Sequence, residues 1–96
     1  NDLPKEFALC QNVPNPFNSS TTVSYDISEA GDILLAVYDL KGRHIKTLKK
    51  GFAESGRYHS QWDGRNEKGE TCATGEYILQ LRSGGKSFNI RMILIK

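Results

Sequence analysis

From Tyr77 to Leu94 the chain reads YILQLRSGGKSFNIRMIL. Tyr77, Leu79 and Leu81 alternate with other residues, and after the SGGK turn Phe88, Ile90, Met92 and Leu94 do the same. A period of two places each set on one face of a strand, and a short glycine-bearing connection joins the two strands as a tight hairpin. No segment of useful length carries the 3.6-residue period of a helix, so the chain is predicted to be all-β.

The same pattern recurs upstream. Phe7 and Leu9 alternate in a short first strand, and Val23, Tyr25 and Ile27 alternate in TVSYDI before a turn at Glu29-Ala30-Gly31-Asp32. ILLAVY, residues 33–38, is apolar on both parities, as expected of a central strand covered on both faces or lying under a loop. DLKGR follows, where Gly42 supplies the positive φ of a hairpin loop, and then a weaker, lysine-rich strand around Ile45 to Leu48. In GRYHSQW, Tyr58, Ser60 and Trp62 share one face and Arg57, His59 and Gln61 the other. About seven strands at this spacing predict an antiparallel two-sheet sandwich of immunoglobulin-like type. Phe17, Tyr25, Val37, Trp62, Tyr77 and Leu79 are its expected buried residues.

One stretch fits neither helix nor regular strand. In QNVPNPFNSSTT, residues 11–22, each proline fixes its own φ, lacks an N–H and pushes Val13 or Asn15 away from the α region. A stiff connector results. Asn12, Asn15 and Asn18 are expected to bond nearby backbone, with Phe17 as the plug that pins the loop to the core while it crosses between sheets.

Ninety-six residues make one domain with one core. With 38% hydrophobic and 25% charged residues the composition is that of a folded chain. A net charge of +2 does not imply a nucleic-acid partner, and the basic run KGRHIKTLKK reads as a hairpin edge protected by charge. No run reaches the ~20 apolar residues of a membrane-spanning helix, and the N-terminus carries no charged-then-apolar export pattern, so any signal is expected outside this segment. Residues 1–6 read as a linker remnant and 7–96 as the domain.

Few residues suggest chemistry. His44 and His59 have no second ligand type at a metal-binding interval and read as surface histidines. Hydrolytic signatures such as GxSxG are absent, and so small a sandwich leaves little room for a closed cleft, so catalysis is not expected. In WDGRNEKGE the EF-hand order fails, because Arg65 and Lys68 stand at the third and sixth positions; an Asx-type turn is the expectation, and no cofactor is. Asn18-Ser19-Ser20 fits the glycosylation pattern, which matters only in a eukaryotic secretory route. Pairs such as Trp62 with Tyr58 or Tyr25 with Tyr38 raise a sugar-stacking platform, but their alternation with polar residues points them inward. Cys10 and Cys72 match no metal spacing; two reduced, buried thiols and one disulfide both remain open.

In order, QNxPNPFN, YDxxGR, WDGxxxxG and GxY punctuate the chain. This set resembles the C-terminal sorting domains of proteins exported by the bacterial type IX secretion system, and also the related immunoglobulin-like domain of the flagellar hook-capping protein. It runs from about Phe7 to Lys96. The chain departs from that pattern at Val13, where an aromatic is common, at Ser19, where a proline is, and at Cys72, where a valine is; a Cys10 to Cys72 bridge would be peculiar to this chain. The resemblance implies a non-catalytic module that sends a larger secreted protein through the periplasm to the surface of a Gram-negative bacterium. Its partners would be the outer-membrane translocon, the surface-attachment machinery and an N-terminal cargo domain of the same chain. Within it, Arg91, Met92, Ile93, Leu94, Ile95 and Lys96 are the candidate sorting signal. Their backbone edge and basic end are expected to be open to a receptor by strand addition, with Met92 and Leu94 facing the core. The alternative is a spacer or carbohydrate-binding module of a secreted glycoside hydrolase.

Overall fold

The computed structural model describes residues 3–96 and confirms an all-β sandwich. Seven strands form: β1 (Ala8–Leu9), β2 (Thr21–Ile27), β3 (Gly31–Asp39), β4 (His44–Ala53), β5 (Gly56–Trp62), β6 (Gly75–Ser83) and β7 (Lys86–Leu94). They pair antiparallel in a three-stranded sheet, ordered β1-β2-β5, and a four-stranded sheet, ordered β4-β3-β6-β7. Of the segment read as a linker remnant, Asn1 and Asp2 lie outside the described residues, and Pro4 is buried.

Alternation produced the core as expected. Val23, Tyr25 and Ile27 of β2 face Ile33, Leu35 and Val37 of β3, Leu79 and Leu81 of β6 and Met92 and Leu94 of β7 in one cluster. All six residues expected to be buried are so, Trp62 at 1% exposure and Tyr77 at 7% being the extremes among the large rings. Phe17 and Tyr77 both pack against the Trp62 ring, at centroid distances of 5.5 and 5.3 Å, and the indole N–H donates to the Arg65 carbonyl at 2.9 Å. Trp62 is thus the joint where both sheets and two long loops meet.

Two strands differ from their expected extent. Gly31 and Asp32, read as turn, already pair with Ala53 and Phe52, because the cross-strand ladder extends past the apolar run that marked the strand. For the same reason β4 is longer than Ile45 to Leu48. Its register slips twice against β3, leaving Leu48 and Ile45 without opposite residues. Those are the two β4 side chains that join Ala53 against the core, so the bulges re-aim apolar groups that a regular lysine-rich edge would leave outside. On β3, Leu34 and Tyr38 are only half covered on the outer face, whereas Ala36 between them is fully buried.

Candidate interaction surface

The motif residues hold the sandwich together at its corners. In YDxxGR, the Asp39 carboxylate accepts from the backbone N–H of Lys41 and Arg43, both at 2.9 Å, and from the Arg43 side chain at 2.7 Å, while Gly42 takes φ 86°. The backbone N–H of Arg43, chief among these contacts, holds the Asp39 carboxyl below its ordinary range. The turn is therefore fully capped while Asp39 is ionised and loosens as pH falls through its depressed value.

In WDGxxxxG, the Asp63 carboxylate caps the Arg65 N–H, and the Asn66 side-chain carbonyl accepts from the N–H of Lys68 and Glu70. Asp63 and Asn66 thus form the Asx-type turns expected of WDGRNEKGE. Among the described residues no three of His, Cys, Asp and Glu are arranged to hold a metal ion. Gly64 takes φ 74°, a conformation that favours glycine, and a Cβ there would rest in van der Waals contact with the Leu94 side chain at 3.4 Å.

Each G-x-Y turns out to be a corner. Tyr77, near the start of β6, donates its hydroxyl to the Ala73 carbonyl at 2.6 Å, and Tyr58, near the start of β5, donates to Glu54 at 2.6 Å. Both bonds reach back four residues, the arrangement known as a tyrosine corner in immunoglobulin-like domains. The echo between Ser55-Gly56-Arg57-Tyr58 and Thr74-Gly75-Glu76-Tyr77 was the available signal for the second corner.

The proline loop does more than cross between sheets. Its two prolyl bonds, Val13-Pro14 and Asn15-Pro16, are cis. Val13 pairs with Thr22 on one side, and Phe17 pairs in parallel with the end of β7 on the other. Phe17 donates its N–H to the Ile93 carbonyl and accepts from the Ile95 N–H, both at 2.9 Å. Asn15 accepts from the Ile93 N–H at 2.9 Å, and Gln11 donates to the Arg91 carbonyl at 2.7 Å. Asn12, 1% exposed, ties the loop to itself through Pro14 and Thr21. Of the three asparagines, then, Asn12 bonds locally as expected and Asn15 bonds a strand 78 positions away. Among the described residues Asn18 bonds none.

This map corrects one expectation about RMILIK. The outward backbone of residues 91–95 is not an open edge, because the loop occupies it. The side chains are arranged as foreseen: Met92 and Leu94 are fully buried, whereas Ile93 is 36% and Ile95 47% exposed, with Arg91 and Lys96 also outside. Arg91 pairs with Glu76 at 3.2 Å, and the Lys96 N–H is held by Thr74. Close to that terminus, 69%-exposed Val13 sits between Gln11 and Asn15, the two residues that grip β7.

The cysteines do not form a bond. Cys10 follows core-facing Leu9 and is exposed, against the expectation of a buried thiol, because its alternate position puts it on the outer face. Cys72 is half-buried against the core, anchored through its N–H to Gly64. Burial pushes the Cys72 thiol and the neighbouring Tyr77 phenol above their ordinary values, so both stay protonated at neutral pH. His44 and His59 are surface residues bonded to Thr47 and Ser24. The rings of Trp62 and Tyr25 are buried, as their alternation implied, and so offer no sugar-stacking platform.

Comparison with known proteins agrees with this geometry. Residues 14–87 match the family described as the FlgD Ig-like domain, and the chain belongs to that family. Among solved structures it is similar to dimeric latent PorU from Porphyromonas gingivalis, with a TM-score of 0.70 at 20% identity over 88% of this chain. It is similar to PorZ of the same bacterium, with a TM-score of 0.61 at 21% identity over 94% of this chain. These matches span only 9% and 11% of those longer proteins. FlgD from P. aeruginosa gives a TM-score of 0.61 at 20% identity, over 86% of this chain and 70% of that one. No curated protein matches.

Proposed function

We propose that the chain is a non-catalytic sorting and anchoring domain that directs a larger secreted protein through a type IX secretion system to the cell surface. The observation that carries this reading is the final strand. Met92 and Leu94 lock it into the core while Arg91, Ile93, Ile95 and Lys96 present an apolar and basic face outward. The likeness to part of PorZ, described as an essential surface component of that system, supports it. Because the proline loop fills the strand's edge at 91–95, the receptor reads side chains and not an open backbone edge.

The test is a fusion of this chain to an unrelated exported reporter in a bacterium possessing the system. The intact fusion is expected at the cell surface. Arg91→Gln combined with Lys96→Gln is expected to leave it in the periplasm at unchanged fold stability, within about 0.5 kcal/mol for surface positions. Glutamine is the better replacement at 91, since glutamate would stand beside Glu76. An intact fusion that stays periplasmic in a competent host removes the sorting role.

A second reading rests on the family match and on the P. aeruginosa FlgD likeness: a structural module of a flagellar hook cap. That reading expects this chain to replace the corresponding FlgD domain in a motility assay, and a sorting domain would not. The carbohydrate-binding alternative loses its motivation with the burial of Trp62.

A further inference from the structure

Three sheet margins are covered in part by the chain itself, whereas β5 has no cover among the described residues. The outward side of β2 is paired by Ala8, Leu9, Cys10 and Val13. The end of β7 is filled by the proline loop. On β4, Glu67 donates its N–H to the Ile45 carbonyl at 3.1 Å and accepts from the Thr47 N–H with its carboxylate at 2.7 Å, so that one residue imitates a paired strand. β5 has no such cover. Cys10 and Val13 bond Ser24 and Thr22, so the even-numbered backbone groups of β2 point toward β1, and the odd ones bond β5 through Trp62, Ser60, Tyr58 and Gly56. The N–H and C=O of Arg57, His59 and Gln61 therefore point out of the sheet. Among the described residues they meet no partner.

We infer that the β5 edge is a self-association surface, on which a second copy of this chain adds antiparallel to give one continuous sheet across a two-fold axis. The occupant follows from register. Outward groups sit at 57, 59 and 61, so only a pairing centred on His59 uses all of them, with about six main-chain hydrogen bonds. That pairing sets Arg57 opposite Gln61 of the other copy and brings no like charges of Arg57 together. A pairing centred on Arg57 would oppose two guanidiniums and strand the remaining groups. On the inner row Tyr58 comes opposite Ser60, a small residue. Both are still half-exposed although they face the core side, and the added strand covers them. β5 also lacks the defences of its neighbours: it has no proline, lysine or bulge in GRYHSQW.

Sedimentation equilibrium of the 96-residue chain, from micromolar to about 1 mM, tests this. The expected result is a concentration-dependent dimer, with amide exchange at Arg57, His59 and Gln61 slowing as concentration rises. Gln61→Glu places a carboxylate opposite each Arg57 and is expected to lower the dissociation constant roughly twofold to thirtyfold, the effect of two opposite-charge cross-strand pairs. Gln61→Arg is expected to raise it by a similar factor. His59→Pro removes an N–H that the monomer does not use, a position where edge strands tolerate proline, and is expected to abolish the dimer. The Gln61 pair decides the matter if the proline variant unfolds. A chain monomeric throughout, or a dimer indifferent to both Gln61 variants, overturns the inference.

Discussion

The sandwich has two open sides, and they are sewn shut in different ways. On the side of β1 and β7, a loop of the first quarter of the chain reaches the last strand with backbone and side-chain bonds over 76 to 80 positions, and plants Phe17 in the core. On the side of β4 and β5, the 63–72 loop spends its bonds mostly on itself, and a single exposed residue, Glu67, reaches across to β4. The first closure is buried and apolar at its centre; the second is a surface contact. A closure that excludes water is part of the fold, whereas one made by an exposed carboxylate can open without unfolding the protein.

Breaking the joint that serves both sides should have the largest effect. Trp62→Ala removes the ring that packs on Phe17 and on Tyr77 and the bond to Arg65, and is expected to cost about 3–5 kcal/mol in denaturant unfolding. Total stabilities of such domains are about 5–15 kcal/mol, so the loss removes a large share. Phe17→Ala falls in the same range by cavity formation, and should in addition free the Ile95 amide to exchange. If Phe17→Ala were nearly silent, the proline loop would be a dispensable cover and the two sides would be alike.

A finer comparison uses one bond from each closure. Asn15→Ala deletes the acceptor of the Ile93 N–H and is expected to cost about 0.5–1.5 kcal/mol. Glu67→Ala deletes the acceptor of the Thr47 N–H, which water replaces at this half-exposed site, and is expected to cost less than about 1 kcal/mol. Native-state hydrogen exchange separates the two: Ile93 should remain slow relative to Thr47 in the unaltered chain. Equal protection of these amides would erase the distinction between the two sides.

The difference between the sides also marks what the sequence disclosed. Alternation named the inward faces of β2, β5, β6 and β7, because the period of a strand is local and burial follows from it directly. Phe17 was legible as a plug for the same reason: it is the lone large apolar group in a polar, proline-bound segment. The partners of Asn15 and Gln11 were not legible, since nothing within reach along the chain distinguishes an asparagine that bonds its own loop from one that bonds a strand 78 positions on. Bulges at Ile45 and Leu48 were hidden similarly, because β4 reads as a poorly amphipathic strand until the register with β3 is known. Most of the fold was therefore readable, whereas the candidate interaction surface was readable only in part. The inward side chains of Met92 and Leu94 and the outward ones of Arg91 and Lys96 were foreseen, and the occupation of their edge was not.

The smallest expected effect uses the two thiols, which lie one beside each closure. Cys10 is exposed on the outer face at the start of the proline loop; Cys72 is half-buried within the loop of the other side. Alkylation requires the thiolate, and burial, its first cause, raises the Cys72 pKa, so its reaction in the folded chain should be slow at neutral pH and rise only in alkali. Cys10 should react without added reductant, since no bond ties it. Opening of the 63–72 loop would expose Cys72 to water, removing the desolvation and returning its reactivity toward that of a free thiol. Glu67→Ala, which removes the side-chain half of that loop's hold on β4 and leaves the backbone bond to Ile45, should therefore speed Cys72 alkylation while leaving Cys10 unchanged, and Asn15→Ala should leave Cys72 unchanged. Mass spectrometry of timed alkylation reads both sites in one sample. Acceleration of Cys72 by Asn15→Ala and not by Glu67→Ala would invert the assignment of which closure yields first.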